Sequence, residues 1–371
     1  MKRWLLATMV LVCALQAHAQ AVALRRLSLG DVGGWIEVEV QAEGRSGRWI
    51  IDTGSTRHIV SRAFAERHSL TPGARVQVET TVGPVGGNEV VLPALQLGAW
   101  VHTGQTALRI DQLAAVLGPA GEGIDGILGL PLLRGQRLDL NLRDWTLGIA
   151  PRGAPDCPDG TTAVQLGEHR GLPVIGVTLN GGATESLLLD TGNPAAVVRI
   201  AARSTPSAAP RLALAHSVTV GALQRTQVPV VQLTAPALHR ALAPHGQGLA
   251  GTALLDGTRW LIDRDQRLAC AETQRLAMPG GFGLTLVERD GGVWVGSVLP
   301  ASPAALAGVR EGDAVTHWVD GPPTGSLRVL WARVQGRDAI EVQTGSQARV
   351  VMRRAHKRQQ SLGPAVSRLN R

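Results

Sequence analysis

A run of buried-strand character ending in Asp-Thr-Gly occurs twice in this chain, 138 residues apart. The first copy is Gly47-Arg48-Trp49-Ile50-Ile51-Asp52-Thr53-Gly54-Ser55, followed by Ile59-Val60. The second is Glu185-Ser186-Leu187-Leu188-Leu189-Asp190-Thr191-Gly192-Asn193, followed by Val197-Val198. Three further landmarks recur in the same order. A glycine-opened alternating strand precedes each run, Gly34 to Val40 in one copy and Gly171 to Leu179 in the other. Leu97-Gly98-Ala99 returns as Val220-Gly221-Ala222, and Gly126-Ile127-Leu128-Gly129 returns as Gly248-Leu249-Ala250-Gly251. A repeat of this length fixes the organisation of the whole chain, because each copy must fold as one supersecondary unit.

The spacings refine that picture. Gly98 to Gly129 is 31 residues and Gly221 to Gly251 is 30, whereas Gly54 to Gly98 is 44 and Gly192 to Gly221 only 29. The surplus of the first copy falls around Val76 to Leu92. There β-rich stretches flank Gly83-Pro84-Val85-Gly86-Gly87, which predicts a mobile hairpin with no counterpart in the second copy.

A lone Asp-Thr-Gly is an ordinary turn sequence. Two, each ending a hydrophobic strand, are different, since a duplication that served only the fold would keep apolar positions without needing an acid at both strand ends. If the copies pack about a pseudo-twofold axis, Asp52 and Asp190 meet there. Two such carboxyl groups share one proton and titrate as a unit. The charged member can take a proton from a water while the neutral one protonates a carbonyl under attack, with no metal, cofactor or covalent intermediate. Gly54 and Gly192 let the backbone approach the carboxylates, and Thr53 and Thr191 can cross the axis and lock the loops. Ser55 is expected to hold the outer oxygen of Asp52, where the second copy has Asn193.

On Asp52-Thr53-Gly54-Ser55, Asp190-Thr191-Gly192-Asn193, Ile127-Leu128-Gly129 and Leu249-Ala250-Gly251 the chain resembles aspartic proteases of the pepsin and retropepsin superfamily, in particular exported bacterial members. The resemblance covers about residues 30–275. It implies a mainly β fold with two retropepsin-like β-barrel lobes related by a pseudo-twofold axis, lobe 1 at 20–150 and lobe 2 at 151–276, with a substrate cleft between them. Both lobes are in one chain, so a monomer is expected, and Gly83 to Gly87 would belong to a single flap. The chain departs from the family in having no Tyr for the flap, a small Ala250, and Asn193 in place of a hydroxyl.

After Met278-Pro279-Gly280 the composition changes. Gly281-Phe282-Gly283-Leu284 opens a strand, and Ser302-Pro303-Ala304-Ala305-Leu306 leads to Gly312-Asp313 and Asp320-Gly321. Residues 277–354 resemble a bacterial PDZ domain. This implies capture of peptide C-termini by strand addition, with Gly281, Phe282, Gly283 and Leu284 receiving the carboxylate through backbone N–H groups and a helix around Ser326 to Val334 forming the other wall. A spacer whose glycines only make a turn is the alternative.

Charge and composition exclude other classes. Eight of the 37 basic residues lie in the two end segments, which contain no acid, leaving 29 basic against 29 acidic residues between them. With 11 aromatic residues and no Tyr, neither a phosphate-tracking stripe nor a stacking platform is present, so nucleic acid is not an expected partner. Ten histidines form no His-Glu-x-x-His, and no Gly-x-Ser-x-Gly occurs. His58, just past the first loop, is either a modulator of it or an ordinary polar residue on the next strand. Lys2-Arg3, the apolar run Trp4 to Leu15 and Ala17-His18-Ala19 read as a signal peptide, 1–19, too short to span a bilayer and taking Cys13 with it. The expected location is therefore periplasmic or secreted, with no integral membrane span. In that oxidising setting Cys157 and Cys270 are either buried thiols or a bridge fastening one half of the molecule to the other. The basic tail, 355–371, is expected to be disordered.

The leading expectation is an exported aspartic endopeptidase acting on protein or peptide substrates, with the C-terminal module recruiting or regulating them. The alternative is an inactive scaffold that holds peptides in protease-like lobes without cutting them.

Overall fold

The computed structural model describes residues 21–29, 33–80, 83–117, 121–151, 157–201, 211–242, 247–277, 281–325, 327–334, 337–345 and 350–353. The expected signal peptide 1–19, the tail 355–371, Ser326 and the Met278–Gly280 link lie outside them. The fold is mainly β. Among the described residues no helix is long and apolar enough to cross a membrane.

Both copies of the repeat use one pairing scheme. The strand Arg45–Ile51 carries Trp49, Ile50 and Ile51 fully into the core and ends at Asp52. Gly126–Leu128 lies parallel to it and antiparallel to His58–Ser61, inserted between the strands that enter and leave the first Asp-Thr-Gly loop. In the second copy Gly248–Ala250 lies parallel to Thr184–Leu189 and antiparallel to Val197–Ala201. The inserted strand explains the repeated apolar-apolar-Gly. Leu128 and Ala250 are buried, and a Cβ on Gly129 would overlap the carbonyl oxygens of Ser55 and Arg57, one on Gly251 those of Asn193 and Ala195.

The glycine-rich stretch of the first copy is placed differently from the expectation. The hairpin pairs Arg75–Thr80 with Gly83–Val91, and Thr80 faces Gly83, so Gly83, Pro84, Val85, Gly86 and Gly87 are strand residues and not its turn. The reason is visible at Gly87: beyond it this strand also pairs with Thr106–Ile110, and a Cβ there would overlap the Arg109 carbonyl. The second copy runs as one long hairpin, Arg211–Val220 against Leu223–Thr234. The stretch before it, 202–210, is outside the described residues.

The copies join edge to edge at their ends. Thr161–Gln165, Leu268–Glu272, Arg259–Asp263, Gln136–Asn141, Thr146–Pro151 and Val22–Ser28 pair in that order as one sheet, in which Gln136–Asn141 of the first copy meets Arg259–Asp263 of the second. Cys157 and Cys270 are disulfide-bonded, with Cα atoms 5.4 Å apart. The bridge does not fasten one half to the other. Strand Leu268–Glu272, which holds Cys270, returns to lie beside Thr161–Gln165 within the second half, and the backbone ladder between 136–141 and 259–263 makes the link between halves. The bridge closes a loop of 113 residues. Cys270→Ser should therefore lower unfolding stability by about 2–5 kcal/mol, read from denaturant melts with and without reductant.

The C-terminal segment has its own core of Phe282, Leu284, Trp318, Leu330, Trp331, Val342 and Met352. Around it lie the pair Leu284–Arg289 and Gly292–Val298, the sheet Val315–Trp318, Ala339–Thr344 and Val350–Arg353, and the helix Leu327–Ala332.

Candidate active site

The inserted strands fix the height of each acidic loop. The Asp52 N–H donates to Leu128 O at 2.9 Å and the Asp190 N–H to Ala250 O at 2.9 Å. Between the loops runs a reciprocal set of four hydrogen bonds. Thr53 Oγ donates to Leu189 O (2.6 Å) and accepts from the Thr191 N–H (3.1 Å). Thr191 Oγ donates to Ile51 O (2.8 Å) and accepts from the Thr53 N–H (3.0 Å). Both threonines are buried, so each bond is shielded from competing water.

This cross-connection brings the carboxyl groups of Asp52 and Asp190 into hydrogen-bonding contact. Each loop glycine lies flat against the acid of the other loop. A Cβ on Gly54 would overlap the Asp190 carboxylate and one on Gly192 the Asp52 carboxylate. The two acids differ in their donors. The Gly54 N–H reaches Asp52 Oδ1 at 2.7 Å, and the backbone N–H groups of Gly192 and Ser55 also favour the charged form of Asp52. Asp190 Oδ1 accepts from Gly192 (2.9 Å) and Asn193 (3.2 Å). Burial raises the pKa of Asp52, partly offset by these donors and by Asp190. Burial and then the charge of Asp52 raise Asp190 well above the ordinary carboxylate range. The two acids accordingly share one proton and titrate as a unit.

Ser55 has a different role from the one expected. Its hydroxyl donates to Arg57 O at 2.8 Å, closing a local turn, and its backbone N–H faces Asp52 instead. Asn193 is 9% exposed. Its Oδ1 accepts from the Ala195 N–H at 3.3 Å, while its Nδ2 has no hydrogen-bond partner among the described residues. Asn193→Ser removes that orphan donor and should raise stability by about 1 kcal/mol in denaturant unfolding.

Two neighbours go beyond the sequence expectation. His58 is fully buried beneath the first loop: its Nδ1 accepts the Gly129 N–H at 3.2 Å and its Nε2 faces His102 Nε2 at 3.3 Å. Burial pushes its pKa down to about 3, so it is a neutral, structural histidine. His102, from the strand Trp100–His102, had no sequence signal, because nothing local marks a partner 44 residues away. Trp35 is the second. It opens the strand Gly34–Ala42, is buried, and donates its indole N–H to Gly192 O at 2.7 Å. Its only sequence mark is that the other copy has Leu172 in its place.

The hairpin 75–91 is tied to the first loop by the ion pair Arg57–Glu89 (2.6 Å), and strand Arg75–Thr80 runs beside the helix Pro236–Leu242 of the second copy. In the C-terminal segment the side chains of Phe282 and Leu284 point into the local core. The carbonyls of Phe282 and Gly283 accept from Ala304 and Leu299, and Gly283 has φ +76° with Ser302 filling the space of a Cβ.

Residues 37–132 match the aspartyl protease family model, a span that contains the first acidic loop, the hairpin and the inserted strand with Gly129. That region is aspartic-protease-like. No curated protein matches the chain.

Proposed function

We propose that this chain is an exported aspartic endopeptidase in which Asp52 and Asp190 form the catalytic dyad of two protease lobes. The observation that carries the reading is the hydrogen-bonded pair of acids with unequal donors, held by reciprocal threonine bonds. A water between the carboxyl groups gives a proton to Asp52 as its oxygen attacks the carbonyl carbon of a peptide bond. Asp190 gives its proton to the carbonyl oxygen, forming a neutral tetrahedral diol. Collapse of the diol returns a proton from one hydroxyl to Asp190. The proton on Asp52 goes to the leaving nitrogen as the C–N bond breaks. Thr53, Gly54, Ser55, Thr191, Gly192 and Asn193 hold the two acids. The hairpin containing Gly83 to Gly87 serves as a single flap. Residues 277–354 act as a PDZ module that presents peptide C-termini through Gly281 to Leu284, and the protein works as a monomer in the periplasm or outside the cell.

The test is incubation of the mature protein with unfolded polypeptide from acid to neutral pH, with and without a statine-type inhibitor. Inhibitor-sensitive products support the reading. Binding without products at any pH supports the inactive scaffold, and products insensitive to both inhibitor and dyad substitution overturn the assignment of the site.

A further inference from the structure

The two copies dock onto one another through the starts of matching strands, and in the first of these docks a side chain hydrogen-bonds an acidic loop. At Gly33, φ +136°, a Cβ would collide with the Pro194 carbonyl and touch Ala253, so the chain entering the strand Gly34–Ala42 lies directly on the residue after Asn193. Gly171, which opens the matching strand, lies near Thr56, the first-loop residue equivalent to Pro194. The residue after the opening glycine, Gly34 in one copy and Gly171 in the other, differs. Trp35 donates its indole N–H to Gly192 O at 2.7 Å, whereas Leu172 has no donor to offer Gly54 O.

We propose that Trp35 is a positioning residue for the dyad, holding Gly192 by its carbonyl, whose peptide carries the Asn193 N–H to Asp190, and so setting the place of the Gly192 N–H across the same Cα between Asp190 and Asp52. The Gly192 Cα already presses against the Asp52 carboxylate, its N–H donates to Asp190 Oδ1 at 2.9 Å, and the same N–H favours the charged form of Asp52. The Gly54 N–H, on the side without a tryptophan, donates to Asp52 Oδ1 at 2.7 Å. The indole therefore contributes to the inequality of the two acids in a structure that is otherwise repeated. No ionisable group other than the two acids themselves, among the described residues, acts on either of them. His58 behind the first loop is neutral and bonded to Gly129, and Arg57 is engaged with Glu89.

The inference rests on the dyad reading above, and its test separates the two. In Trp35→Phe the ring stays and the N–H is lost. Gly192 then relaxes away from Asp52, whose charged form loses the Gly192 N–H as a donor, so the acid limb of the pH profile of kcat/KM should move upward by about half a unit or more. KM should change less than kcat. Incorporation of 3-benzothienylalanine at position 35 deletes the same N–H with unchanged shape, and decides the matter if the Phe variant does not fold. Titration of the carboxyl carbons of aspartate labelled with carbon-13 gives the same answer without turnover, because the lower transition of the pair should rise in the variants. An unmoved acid limb and unmoved carboxyl transitions would overturn the role of Trp35 and leave the hydrolase reading intact. If the wild-type protein cleaves nothing, the hydrolase reading fails and the carbon-13 titration still decides the role of Trp35.

Discussion

Asp52→Asn is expected to abolish peptide cleavage, with a loss on the order of a thousandfold or more, because it removes the group that takes the proton from the attacking water. The amide keeps the size of the carboxyl and can still receive the Gly54 N–H, so the fold should survive. The pH dependence of stability gives an independent check. Both acids have pKa values raised above those of the unfolded chain, Asp190 more so. The native pair thus binds its proton more tightly than the unfolded chain does. The wild-type protein gains stability from the pair below the unfolded value of about 4 and loses it progressively as pH climbs through the raised native values. Asp52→Asn and Asp190→Asn remove that loss. Their melting temperatures should equal or exceed that of the wild type at neutral pH, with a smaller difference in acid. Activity of the wild type should be bell-shaped, falling on the acid side as Asp52 protonates and on the alkaline side as Asp190 gives up its proton. Full cleavage by Asp52→Asn would refute the dyad.

Thr53→Val should be strongly destabilising. The hydroxyl both donates to Leu189 O and accepts from the Thr191 N–H at a buried crossing point. A methyl group in its place leaves one carbonyl and one N–H without partners. Each such orphan costs about 1–3 kcal/mol, so the total is about 2–6 kcal/mol against a folding free energy of about 5–15 kcal/mol. Thr53→Ser keeps both bonds and should cost under about 1 kcal/mol. Denaturant melts of the two variants compare the terms directly. Because the same bonds set the approach of Asp52 to Asp190, Thr53→Val should also lose most of its activity at temperatures where it is still folded. Equal melts for Val and Ser would mean that the crossing contributes no stability.

Much of the site was legible because the repeat preserves local requirements. A strand buried on both faces must read as an unbroken apolar run, as Trp49-Ile50-Ile51 and Leu187-Leu188-Leu189 do. A glycine must stand where a Cβ would strike a neighbouring backbone, as at Gly129 and Gly251. Such demands act over a few residues and leave marks at fixed spacing. The hairpin of the first copy was visible from its surplus length, but its reversal was misplaced. Gly87 is small because it lies beside Arg109, a contact made across the sheet. The hydroxyl of Ser55 was misassigned for a related reason, since two acceptors lay within reach and only the path of the turn selects Arg57 O.

The sequence by itself determined that two equivalent strand-loop-strand units exist, that each ends a buried strand in an acid, and that residues after 280 form something different. Those facts follow from periodicity and from the cost of burying charge, which are written into neighbouring residues. Only the tertiary structure decided that the halves join by pairing 136–141 with 259–263, that the disulfide lies within the second half, and that Trp35 grips Gly192 across 157 residues of chain. Contacts of that range depend on how two surfaces come together, and the free energy that selects them is spread over every residue they bury.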